Sequence, residues 1–164
     1  MIMHIGFSKP KSNIALFAKL IQWVEKRPYD HVYIKTQEPM DLEYVIFQAS
    51  KEMVNLYNKD IFFNDNVCIK EYQIEIDDKQ YALLWNFIMN NLGVPYSLKS
   101  DFGILLTKIF RIKQPFNSGY SSEFCSKLAA QICNLLGIVK IDNPDAVDPS
   151  SLDKILSDAK VTCV

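Results

Sequence analysis

The sequence predicts an α+β fold, a small antiparallel sheet with helices packed on it. Two observations carry this reading. Residues 1–7, then HVYIK, EYVIFQAS and VCIKEYQIEI, are rich in β-branched and aromatic residues with polar breaks between them, as strands require. Elsewhere, apolar residues recur at helical spacing between cap and stop residues. At 164 residues the chain fits one domain, residues 1–164, able to bury a core without disulfide or metal support.

The elements follow in order. A first strand over 1–7 is expected to break at Ser8, Lys9 and Pro10. From Ser12, residues Ile14, Phe17, Leu20, Ile21 and Val24 form the apolar face of a helix stopped by Pro28. HVYIK and EYVIFQAS then read as adjacent antiparallel strands. In VCIKEYQIEI the alternation holds at Val67 and Ile69, and again at Tyr72, Ile74 and Ile76, but slips between them, which predicts a bulge near Lys70 or Glu71.

Asp77 or Asp78 caps a helix with Tyr81, Leu84, Trp85, Ile88 and Leu92 on one face and Gly93 at its end. GVPYS is a turn or a short extended piece. The run GILLTKIF reads equally as a buried helix or as a lid over an apolar cleft. Ser121 or Ser122 opens the helix SSEFCSKLAAQICNLLG, and a last short helix starts near Ser150, with Asp153 in its acidic first turn.

Composition narrows the function. A formal net charge of −1 offers neither a nucleic-acid groove nor a polybasic membrane patch. No basic start leads into an apolar stretch, and no apolar run approaches the roughly 20 residues of a spanning helix, so a cytoplasmic protein without an integral membrane segment is expected. Four cysteines without a CxxC pair, and only two histidines, argue against a structural metal site. No cofactor is implied, and the thiols are expected to be free.

Among those thiols, Cys125 lies three or four residues into a helix, where unpaired backbone N–H groups and the positive dipole end favour thiolate. Such sites lower a thiol pKa from about 8.5 to roughly 3.5–7.5. Cys133 lies two turns on among Ile132 and Leu136 and reads as packing, Cys68 is on a strand, and Cys163 is in a tail. A cysteine nucleophile needs a base, and His31, opening a strand after a polar bend, is favoured over His4. To orient the imidazole, Gln48 is chosen as a polar residue in an apolar strand, with Glu43 as competitor.

The order of these parts resembles the circularly permuted branch of the NlpC/P60 papain-like superfamily, particularly YiiX-like proteins. The matching segments are YDHVYI, VIFQAS, GVPYSLKSDFG, SSEFCSKLAAQI and DPSSLDKIL, and they span most of the chain. The resemblance implies a papain-like α+β fold with Cys125 as nucleophile, His31 as base, Gln48 as orienter and Tyr96 as an oxyanion donor. YiiX-like members often carry glutamate where this chain has Gln48, an amide that fixes the ring without adding charge.

The implied activity is a cysteine peptidase or amidase acting on a peptide, a peptidoglycan fragment or another acyl-amide. An acyltransferase or thioesterase on a lipid or thioester, as in lecithin:retinol acyltransferase relatives, is the enzymatic alternative. A catalytically inactive binding module of the same fold is the third reading.

Overall fold

The computed structural model describes residues 1–11, 28–29, 31–49, 53–95 and 125–164. They form a six-stranded antiparallel sheet with four α-helices and a 3-10 turn. The strands are β1 (Ile2–Pro10), β2 (His31–Gln37), β3 (Tyr44–Ala49), β4 (Val54–Asn58), β5 (Asn66–Glu75) and β6 (Thr162–Cys163). The helices are α1 (Lys59–Asp65), α2 (Asp78–Asn91), α3 (Cys125–Leu135) and α4 (Pro149–Asp158). Across the sheet the strands run β4-β3-β2-β1-β5-β6. The α+β expectation therefore holds.

Strand alternation divides the sheet into two unlike faces. Met3, Ile5, Phe7, Val32, Ile34, Phe47, Ala49, Tyr72 and Ile74 join the main core with Leu84 and Ile88 of α2, Leu128 and Ile132 of α3, and Leu152 and Leu156 of α4. On the other face Tyr33, Ile46 and Phe62 form a smaller buried cluster, with Phe63 packed against it. Short α1 thus supplies the apolar plug of the second face.

That second face is crossed by one aromatic ring. Gly6 pairs with Tyr33 on β2 and with Glu71 on β5, and the Tyr33 hydroxyl donates to Glu71 Oε1 at 2.8 Å. A Cβ on Gly6 would lie 2.0 Å from Tyr33 Cζ, so only glycine lets the phenol pass over β1. Lys35 makes a short ion pair with the same carboxylate, and His4 Nε2 lies 3.8 Å from it. Burial, with Lys35 alongside, lowers the His4 pKa.

Local differences from expectation have local causes. β1 continues through Ser8 and Lys9 to Pro10 because β5 pairs with it as far as Asn66. The bulge falls at Ile69, one residue before the expected place, where Phe7 faces Lys70 and Ser8 faces Cys68. β4 and α1 were not foreseen; Asn58 ends the strand and caps the helix, accepting from the Asp60 and Ile61 amides.

α2 has the expected face and a full capping box between Asp77 and Gln80. In GVPYS, expected as a turn or a short extended piece, Gly93 turns at φ 78°, while Val94 accepts from the Val54 amide and Pro95 bridges to Met53. Asp148, not Ser150, caps α4, with Pro149 in the first turn. The helix expected from Ser12, the GILLTKIF segment, and the caps Ser121 and Ser122 lie outside the described residues. Among the described residues no helix is long and apolar enough to cross a membrane.

Candidate functional site

His31 is the first residue of β2, and its alternation with Val32 turns the imidazole toward the face that carries Tyr33. Gln48 lies on β3 between Phe47 and Ala49, both of which face the main core, so its amide also points to that second face. The two side chains meet at 2.6 Å between His31 Nε2 and Gln48 Oε1. An amide oxygen only accepts, so Nε2 carries the proton and, in the neutral ring, Nδ1 is the basic nitrogen. The sequence-based pairing of His31 with Gln48 is thus present as a hydrogen bond. Glu43, the competitor, is exposed in the β2–β3 connection.

Burial dominates the electrostatics of this imidazole. It pushes the His31 pKa down to about 4, although the Gln48 hydrogen bond favours the protonated ring. A carboxylate at position 48 would oppose that depression with charge, and the amide does not. His31 is therefore neutral at pH 7, which makes it a proton acceptor rather than a standing cation. The Phe62 ring flanks it, with centroids 6.3 Å apart.

Cys125 is the first described residue of α3, which packs on β2 and β3. Its side chain is buried, 9% exposed, and belongs to the main core. Ser126, beside it, donates to the Val147 carbonyl at 2.6 Å and ties the start of the helix to the segment before α4. Cys133 is fully buried and its thiol is pushed up to about 12 by desolvation, as a packing role requires. Cys68 and Cys163 are exposed on β5 and β6. Tyr96 lies outside the described residues.

A second polar cluster had no counterpart in the sequence reading. Asp153 is 3% exposed rather than solvated, and it receives Tyr29 Oη at 2.6 Å, Tyr72 Oη at 2.5 Å and Lys70 Nζ at 2.6 Å. Burial would raise this carboxyl, but the three donors outweigh it and hold the pKa below the usual range. Only a buried acceptor with three partners on other elements explains that position, and sequence spacing carries no sign of it.

No family model and no curated protein matches this sequence. Among solved structures the chain is similar to the metalloprotein yiiX of Escherichia coli O157:H7, DUF1105. The TM-score is 0.66 at 16% identity, over 98% of this chain and 94% of that one. That protein is described as a metalloprotein. Among the described residues here, no three His, Cys, Asp or Glu side chains gather so as to hold a metal ion. Near-complete coverage of both chains, with the six-stranded sheet and its helices, shows what the chain shares with that protein: it has a YiiX-like fold.

Proposed function

We propose that the chain is a cysteine hydrolase that cleaves an amide bond, in a peptide or cell-wall fragment, through a thioester on Cys125. The observation that carries this reading is the hydrogen bond from His31 Nε2 to Gln48 Oε1, which sets the tautomer so that Nδ1 is the base. His31 opens its strand, and Cys125 is the first described residue of its helix. The helix packs on β2 and β3, with Cys125 in the main core and His31 on the face of Tyr33 and Phe62, and this reading requires the thiol to reach the imidazole around the N-terminal end of β2.

With His31 neutral, the resting pair is thiol and imidazole. The Cys125 proton moves to Nδ1 as Sγ bonds to the carbonyl carbon. In this reading the oxyanion is received by the Cys125 backbone N–H. Collapse breaks the C–N bond, and the proton on Nδ1 passes to the leaving amine. Water then attacks the thioester, giving a proton to Nδ1; the departing Sγ regains it, and the acid is released.

The test is acylation with p-nitrophenyl acetate followed by intact-mass and peptide mapping. Wild type is expected to release nitrophenol in a burst and to carry acetyl on Cys125, and Cys125→Ala to do neither. Discharge of the adduct by water supports hydrolysis. Persistence until an amine or alcohol is added supports acyl transfer instead. Absence of any adduct on folded protein, across amide, ester and thioester donors, supports the binding-module reading.

A further inference from the structure

We infer that Tyr29 and Asp153 form a latch that positions His31, making them positioning residues for the thiol chemistry; this rests on the reading of His31 as base. β2 begins at His31, whose backbone pairs with Ser8 of β1. From there toward the C-terminus the strand is held by its ladders with β1 and β3. On the N-terminal side Tyr29 lies only two residues away, a span of at most about 7 Å of chain.

Tyr29 is firmly held. It is 2% exposed, its ring packs on Phe7 with centroids 4.9 Å apart, and its hydroxyl donates to Asp153 Oδ2 on α4. Asp153 is itself fixed from β5, where Lys70 and Tyr72 donate to its other oxygen, Oδ1. α4 and β5 together thus clamp the chain at its entry into β2. Small displacements of a reacting group are costly to rate, which gives such a clamp a role beyond stability.

Tyr72 supplies the control. Its hydroxyl also donates to Asp153, but from β5, with no short chain path to His31. Tyr29→Phe and Tyr72→Phe each remove one buried hydroxyl from the same carboxylate while keeping the ring. Cys125 alkylation by iodoacetamide is followed from pH 5 to 9 in wild type, both variants and His31→Ala, alongside melting curves.

Tyr29→Phe is expected to slow Cys125 alkylation about tenfold at pH 7 and to change its pH profile. Tyr72→Phe is expected to lower melting comparably while leaving the rate within twofold of wild type. Equal slowing in the two variants would show a purely structural carboxylate and overturn the latch. An unchanged rate in Tyr29→Phe would overturn it as well. If His31→Ala leaves Cys125 reactivity unchanged, the reading of His31 as base fails, and the latch with it. A slow His31→Ala beside a wild-type-like Tyr29→Phe rejects the latch alone. Should Tyr29→Phe not fold, Asp153→Asn takes its place under the same criteria.

Discussion

Acidification from pH 7 to pH 4 is expected to remove about 3 kcal/mol of folding stability through His31 alone. Its pKa is 6.5 in the ordinary state and about 4 in the fold, so the unfolded chain takes up the proton more readily. The sign follows directly. The contribution is complete above about pH 6.5, where the ring is neutral in both states, and it is lost as pH falls toward 4. His4, also lowered by burial, acts in the same direction.

Asp153 extends the loss to lower pH. Its depressed carboxyl contributes stability above the ordinary value of 3.8, and that contribution disappears as pH falls through the folded value. Urea unfolding of wild type and His31→Gln at pH 7 and pH 4 separates the contributions, since the variant cannot titrate at this position. The wild type should lose markedly more stability between the two pH values. Equal losses would mean that His31 is solvated like an ordinary histidine.

Gly6→Ala is expected to destabilise the fold by about 3 kcal/mol. The backbone at Gly6 is not left-handed, so the restriction is space and not conformation. A methyl group 2.0 Å from Tyr33 Cζ must displace a ring packed between Phe62 and Phe63, with centroids 5.0 and 5.7 Å away. Overpacking costs about 1 to 3 kcal/mol, and separating the phenol from the Glu71 carboxylate adds roughly 1.5 to 3.

The mechanism makes a further demand that melting experiments can check. On a Tyr33→Leu background the ring is gone, and Gly6→Ala should cost little more than Tyr33→Leu alone. If the two substitutions add in full, the steric account of Gly6 is wrong. The site is linked to this packing, because Tyr33 and His31 share the face plugged by Phe62.

Legibility in the sequence followed the range of the interactions. β2 and β3 were readable from alternation, and Gln48 stood out because a lone polar residue interrupts an apolar strand whose two neighbours face the core. α2 was readable from its period and its acidic cap. By contrast, α1 is a seven-residue helix whose adjacent phenylalanines show no helical period, so its seat under Tyr33 was hidden.

Asp153 was hidden more deeply. Its partners lie 81 to 124 residues away along the chain, and with Asp148 rather than Ser150 as the cap it lies beyond the acidic first turn expected of it. The depression of His31 was also out of reach, because it depends on burial rather than on neighbouring sequence. The sequence pointed to a helix-start thiol that favours thiolate, with His31 as base. A neutral imidazole bonded to an amide instead favours transfer of the proton during attack.

The most direct measurement is competitive alkylation of the four cysteines by brief iodoacetamide treatment at pH 7, read by peptide mapping in wild type and His31→Ala. Exposure alone would order the thiols with Cys68 and Cys163 first, Cys125 far behind and Cys133 silent. A Cys125 activated by His31 should instead label first despite its burial, and should lose that lead in His31→Ala. Labelling that simply follows exposure, with Cys125 unreactive in folded wild type, would contradict a catalytic thiol at this site.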